Sequence, residues 1–405
     1  MVRQFFFIVN HEGVSYFCDY SIRIEQLFIS SYMGKKIMCV LLCLWFGQIA
    51  LSAERALSDR AQISVLTIGT GPMLHELYGH TAIRVFDPSY GIDRVYNFGM
   101  FDFSTPSFGL RFIKGDMLYY ADYTSMKDFV RSYVYYNRSV YEQVLNLTED
   151  QKEKIWHSLE NALTEENKYY VYKFIDQNCT TKVVDIVNQD TNTVVEAEVT
   201  DNIKTYRQMF NDYLDSSYFL KLGINMILGA RIDQTNDKQF LPDKYMMGLE
   251  QTKMDGKPIV KETKTIFEAN QELRATTPWW DTYAFFSLLC VVLAVMSYKV
   301  KAIRYSLILI IGLFGAFFLF VNFYSFHVEV LNNNILLLCN PLLLLLPFVN
   351  TNIRMGRVLH IVLLIGMTIY VVLNITSEKL VVTLPLYLLT LCLLIIDRII
   401  INKKD

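Results

Sequence analysis

From residue 279 almost to its end the chain is a succession of apolar runs, at 279–298, 305–323, 335–349, 358–373 and 381–396. Runs close to the roughly 20 residues that cross a hydrocarbon core must satisfy their backbone polar groups internally, so they can only be helices in lipid. Residues 278–405 are therefore expected to form an all-α membrane domain of about five transmembrane helices. The third run is interrupted by Asn340-Pro341, so it either spans fully or is re-entrant. Asn340 beside that proline either satisfies carbonyls freed by the kink or lines a polar cavity.

Loop charges orient these runs, because cytoplasmic loops are enriched in Lys and Arg. Lys299, Lys301 and Arg304 follow the first run, Arg354 and Arg357 the third, and Arg398, Lys403 and Lys404 the fifth, whereas the two remaining loops carry only Lys379. The first run thus points inward, the C-terminus is cytoplasmic, and residues 54–277 lie outside. An export signal agrees: Lys35 and Lys36 precede the apolar stretch 38–49, and Ala50, Ser52 and Ala53 supply small residues for cleavage. Residues 33–53 are read as a signal peptide, with an anchor helix as the alternative, and 1–32 as an upstream extension. A net charge of −2 implies neither a nucleic-acid partner nor a polybasic membrane tether.

The exported stretch is long enough for one well-cored domain. Strand signals occur at 62–69, 81–86, 94–98, 117–123, 140–147 and 170–175, rich in β-branched and aromatic residues. Thr148 and Gln151 form a capping-box signature for a helix through Leu163, and another helix is expected to start at Cys179 with Val183, Val184 and Val187 on its buried side. Residues 201–273 read as helical and then irregular, and the class is α+β.

Cysteine usage directs attention to one residue. Of the seven cysteines, Cys18 lies in the extension, Cys39 and Cys43 in the signal, and Cys290, Cys339 and Cys392 in apolar runs, which leaves Cys179 alone in the exported domain. An unpaired thiol in an oxidising compartment is a liability unless it does chemistry. At a helix start it gains the positive end of the helix dipole, which favours the thiolate; a buried structural cysteine is the competing reading. A base must come from His75, His80 or His157. His157 falls in the polar helix after Thr148 and reads as solvated. His75 and His80 are five apart with Gly79 in a turn, which breaks the i, i+4 spacing of a zinc-protease helix, so no metal and no cofactor is expected. His80 opens an apolar strand and is the preferred base. Asn97 on the next strand is the candidate orienting group, Glu76 a second, and Asn178 a candidate amide donor to an oxyanion.

The order His then Cys, with the Cys opening a helix in an Asn-Cys dipeptide, resembles the circularly permuted papain-like enzymes that include lecithin:retinol acyltransferase relatives. A closer resemblance, over nearly the whole mature chain, is to the Lnb type, the Bacteroidetes-type lipoprotein N-acyltransferases. It is carried by Tyr78-Gly79-His80-Thr81-Ala82-Ile83-Arg84-Val85, Tyr96-Asn97-Phe98-Gly99, Phe112-Ile113-Lys114-Gly115, Asn137-Arg138-Ser139-Val140, Asp176-Gln177-Asn178-Cys179-Thr180-Thr181 and Phe240-Leu241-Pro242-Asp243. Gln177 stands where Asn is expected. The resemblance implies an inner-membrane enzyme with its catalytic domain on the periplasmic side. Its reaction would move an acyl chain from a phospholipid donor through a Cys179 thioester to the α-amine of a diacylated lipoprotein. His327, Asn332, Asn334 and Asn340 in the membrane region are then candidate lipid-binding residues, with an ordinary solvated loop as the alternative for the first three. A tethered papain-like cell-wall peptidase or amidase and a non-enzymatic membrane sensor or scaffold are the competing functions.

Overall fold

A computed structural model describes residues 56–195, 204–270, 276–349 and 354–402; the expected upstream extension and signal peptide lie outside the described residues. The chain begins with a meander of β1 (Gln62–Ile68), β2 (His80–Asp87) and β3 (Ile92–Met100). Side chains alternate across these strands: Ile63, Val65, Ile83, Val85, Tyr96 and Phe98 enter one core, and Leu66, Ile68, Ala82 and Val95 enter another. Both faces of the sheet are therefore covered, which is why every residue of β1 after Gln62 is buried, Ser64 and Thr67 included.

There follow α1 (Phe108–Lys114), β4 (Leu118–Ser125), α2 (Met126–Tyr135), β5 (Val140–Leu145), α3 (Glu149–Ala162), β6 (Tyr169–Val171) and α4 (Cys179–Thr191). The expected Thr148–Gln151 capping box opens α3. After α4 come α5 (Tyr206–Asn211), α6 (Tyr218–Ile227), α7 (Pro242–Gln251), the two-residue strands β7 (Lys253–Met254) and β8 (Lys257–Pro258), and β9 (Val260–Phe267). The main sheet runs β6-β4-β3-β2-β1-β5-β9 with every neighbouring pair antiparallel. All six expected strands occur. β9 is an addition: the segment expected to be irregular pairs along β5 and covers its edge. Helices α3, α4 and α7 pack on one face, and Met126 and Phe129 of α2 on the other.

The C-terminal region contains α8 (Tyr283–Lys299), α9 (Lys301–Tyr324), α10 (Arg354–Asn374) and α11 (Glu378–Asn402). Among the described residues four segments are long and apolar enough to cross a membrane, Lys301–Tyr324, Val328–Phe348, Arg354–Asn374 and Glu378–Ile399, while α8 is a shorter apolar helix of 17 residues. The structure thus supports four candidate spans where the sequence suggests about five. Val328–Phe348 is built from three short 3-10 turns, and Asn333 and Asn340 break it by accepting the Ile335 and Leu342 amides at 3.1 and 3.0 Å. Gly315 lets α9 approach this segment backbone to backbone, since a Cβ there would lie 2.1 Å from the Cys339 carbonyl oxygen.

Exported and membrane parts belong to one unit, Leu57–Asp405. Arg207, 1% exposed, joins Asp233 at 2.6 Å and the Leu228 and Gly229 carbonyls, and Asp233 accepts from Ser377 at 3.2 Å. The Lys379 ammonium, fully buried, donates to Asn333 and Asn334 at 2.8 and 2.7 Å and to the Leu228 carbonyl at 3.4 Å. These bonds tie the loops at the outer ends of α9, α10 and α11 to the exported domain.

Candidate active site

The loop before α4 ends in a reciprocal cap. Asn178 Oδ1 accepts the Thr181 amide at 2.9 Å, and Thr181 Oγ1 accepts the Asn178 amide at 2.8 Å. The two protons of the Asn178 side-chain amide go to the Phe174 and Phe240 carbonyls, each at 2.9 Å. Asn178 therefore fixes where the helix starts, and its amide has no proton left for an oxyanion. Cys179 is the first helical residue, half-buried, at the positive end of the α4 dipole.

His80 is delivered by a turn that only glycine can make. Gly79 has φ +82°, and a Cβ there would lie 2.5 Å from the Ile68 carbonyl oxygen. From the first position of β2, His80 Nε2 meets Asn97 Oδ1 at 3.1 Å. The Asn97 amide nitrogen donates to the Val95 carbonyl at 3.3 Å, which leaves Oδ1 as the acceptor facing the imidazole. Nε2 must then carry the proton, and Nδ1 presents its lone pair as the nitrogen available to the thiol. A hydroxyl contact of 3.0 Å between Thr81 and Thr180 ties β2 to α4. Gly99, with φ +82°, lies against Cys179: a Cβ there would be in ordinary contact with that of Cys179, at 3.6 Å, so it is the left-handed backbone that favours glycine.

Crowding around the Cys179 thiol favours its neutral form, but the charge and hydrogen bond of His80 and the Thr81 amide outweigh this and bring the pKa down to about 7. The thiolate is thus populated above neutrality, well below the ordinary thiol range. Alkylation of Cys179 by iodoacetamide is expected to reach half its maximal rate near pH 7, and in His80→Ala the midpoint should rise by one unit or more; an unchanged midpoint would remove His80 from the site. Tyr170 and Tyr172 lie near the thiol with phenols held neutral, their pKa values raised by burial and by the nearby thiolate. In Asn97→Ala the ring loses its restraint, and turnover is expected to fall by about a hundredfold with little change in KM, as for other ångström-scale misplacements; equal rates would show that Asn97 merely closes β3.

The remaining candidates lie apart from the thiol. Glu76, 7% exposed, pairs with Arg138 at 3.2 Å and accepts the Met73 amide at 3.3 Å, so it holds the turn before His80 and does not orient the ring. His75 packs edge-on against Phe101 and Phe103, and His157 pairs with Glu153 at 3.8 Å on α3. His327 is turned inward at 4% exposure. It stacks on Phe174 at 4.5 Å and contacts the Phe112 carbonyl at 3.0 Å, so it braces the loop that carries Cys179. Lys173 donates to the Phe326 carbonyl at 2.8 Å and adds to the same brace. Asn334 bonds Asn374 and Lys379 at 3.0 and 2.7 Å, Asn340 caps a 3-10 turn, and Asn332 is exposed with its amide donated to Asn322 at 2.8 Å. Sequence reasoning missed Thr81, Gly99, Arg138 and the two tyrosines; only the glycine before a strand end and the Thr-Thr after Cys179 offered a signal.

Among the described residues no three His, Cys, Asp or Glu side chains form a group able to hold a metal ion. Neither the curated proteins nor the solved structures contain a match to the chain. Residues 52–212, which carry His80, Asn97 and Cys179 together, match the family described as the Lnb N-terminal periplasmic domain. With that periplasmic domain joined to apolar helices long enough to span a bilayer, the chain is a multi-pass membrane protein whose N-terminal region, residues 52–212, is an Lnb-type periplasmic domain.

Proposed function

We propose that the protein is a cysteine-dependent lipoprotein N-acyltransferase of the bacterial inner membrane. The observation that carries this reading is a thiol with its pKa near 7 at a helix N-terminus, facing an imidazole whose tautomer is set by Asn97, in a domain tied to membrane helices. His80 Nδ1 takes the thiol proton, and Sγ attacks the carbonyl carbon of a phospholipid ester. The tetrahedral oxyanion would be met by the first-turn amides of Cys179 and Thr180, which lack intrahelical acceptors. Collapse breaks the C–O bond, His80 returns the proton to the leaving alkoxide, and a lysophospholipid departs. The α-amine of a diacylated lipoprotein then attacks the thioester, the C–S bond breaks, and the amine proton passes through His80 as the thiolate is restored. Membrane attachment favours this substrate pair, because both reactants are lipids confined to one leaflet.

A helix-borne cysteine packed on an antiparallel sheet with its histidine at a strand start also suits a permuted papain-like fold, and with it a cell-wall peptidase or amidase. Purified full-length protein incubated with phospholipid and a diacylated lipopeptide separates the two. N-acylated lipopeptide is the expected product; none, with cleavage of cell-wall peptide instead, would refute the transferase reading.

A further inference from the structure

The exported domain displays apolar side chains that none of its cores uses. Met73, Leu74, Phe103 and Leu110 are 58, 63, 65 and 56% exposed, and α1 buries no residue. Phe103 belongs to a connected aromatic surface, and Met73, Leu74 and Leu110 lie on the segments that carry it. His75 meets Phe101 and Phe103 at 5.8 and 6.0 Å, both phenylalanines meet Phe108 at 6.0 and 5.1 Å, and Phe108 stacks on Phe112 at 6.5 Å. Exposed, contiguous apolar surface of this kind marks a partner.

Its far end identifies that partner. Phe112 lies 6.2 Å from His327, and the Phe326 amide donates to the Lys114 carbonyl at 2.6 Å, so α1 is fastened to the outer end of α9. There Phe323 and Phe326 are 81 and 58% exposed, and Trp279 and Trp280, 76 and 48% exposed, precede α8 on the same side. Aromatic residues at helix ends are typical of the membrane–water boundary. The apolar face of the exported domain is thus continuous with the lipid-facing end of a membrane span. Arg111, Lys114 and Asp116 form its polar edge, as on helices that lie in an interface.

We propose that residues 73–74 and 100–112 form a lobe that dips into the acyl region of the outer leaflet beside Cys179. The lobe connects to the thiol through Phe101, which meets Tyr119 at 5.3 Å, and Tyr119, which stacks at 4.5 Å on Tyr172, itself close enough to Cys179 to feel its charge. A lipid whose chains lie along the lobe therefore has an aromatic wall leading toward the nucleophile. The placement rests on the membrane topology and requires no acyl transfer.

The test uses full-length protein in vesicles of three parts phosphatidylethanolamine to one part phosphatidylglycerol, doped with a phospholipid bearing a diazirine midway along one acyl chain. After photolysis, mass spectrometry locates the adducts. Peptides covering 100–112 should be labelled to an extent comparable with α9 and at least tenfold more than α3, and the double variant Phe103→Asp, Leu110→Asp should lose most of that label while Cys179 alkylation stays unchanged. Labelling of 100–112 no greater than that of α3 would overturn the proposal. Labelling without lipopeptide acylation would uphold the lobe and refute the transferase reading, so the two fail separately.

Discussion

Cys179→Ser is expected to abolish lipopeptide N-acylation, lowering the rate on the order of 10⁴-fold or more while leaving the fold intact. The reason lies in the difference between the two nucleophiles in one setting. His80, the Thr81 amide and the start of α4 bring a thiol to a pKa of about 7. The same groups acting on an alcohol, many units less acidic, leave it protonated. Serine matches cysteine in shape and hydrogen bonding, so the Asn178–Thr181 cap and the Thr81–Thr180 contact should persist. The apparent Tm of the detergent-solubilised chain should accordingly be near that of the parent. Substantial residual activity would mean that the thiol is not the acyl carrier; loss of activity together with a collapsed Tm would show that the serine had disturbed the helix start.

The second large effect is expected from Arg138→Met, at a residue that touches neither the thiol nor the imidazole. Arg138 and Glu76 are 5 and 7% exposed, and they pair at 3.2 Å while Arg138 Nε donates to the Gly69 carbonyl at 2.9 Å. Together they close the segment between β1 and the Gly79 turn, and so set the height at which His80 enters β2. Removing the cation leaves a buried carboxylate without its partner, a loss of roughly 3–5 kcal/mol in comparable buried pairs. The apparent Tm should fall sharply, and activity with it. Removing both charges, in Arg138→Met with Glu76→Met, deletes the uncompensated group and should recover most of the loss in Tm. A double variant as unstable as the single would show that packing, and not the charge, is what Arg138 supplies.

The parts of this architecture legible in the sequence are those written in local pattern. Asn178 three residues before Thr181, followed by valines at helical spacing, announces both the start of α4 and its buried face, and Thr148 with Gln151 does the same for α3. Richness in β-branched and aromatic residues marks the strands, and the solitary Cys179 with a Gly-His turn points to the two residues that the structure brings together in the candidate site. What remained hidden depends on contacts distant in sequence. Glu76 read as an acid near the candidate histidine because its partner lies 62 residues away. β9, with mostly exposed residues, lacks the apolar alternation of a core strand and forms because β5 offers it an edge. Lys379 looked like an ordinary lysine in an outer loop, yet asparagine side chains 45 and 46 residues earlier enclose it. His327 looked free to meet lipid head groups, whereas Phe174 and the Phe112 carbonyl hold it inside.

This brace also gives the membrane region a part beyond anchoring. The loop after α9 grips the residues that lead into Cys179 through Phe174, Lys173 and Ile175, whose amide donates to Glu329 at 3.4 Å. Chain segments that set the thiol therefore lean directly on a loop fixed at the outer face of the bilayer.

The claim that Cys179 carries the acyl chain is tested most directly by intact-protein and peptide mass spectrometry after the full-length protein is exposed to phospholipid without an acceptor. The account predicts one acyl adduct on Cys179, with a mass matching a donor chain, removed by neutral hydroxylamine, absent from Cys179→Ser and discharged when a diacylated lipopeptide is added. Formation of N-acylated lipopeptide by a protein on which no Cys179 adduct can be trapped, or equal turnover by Cys179→Ser, would contradict it.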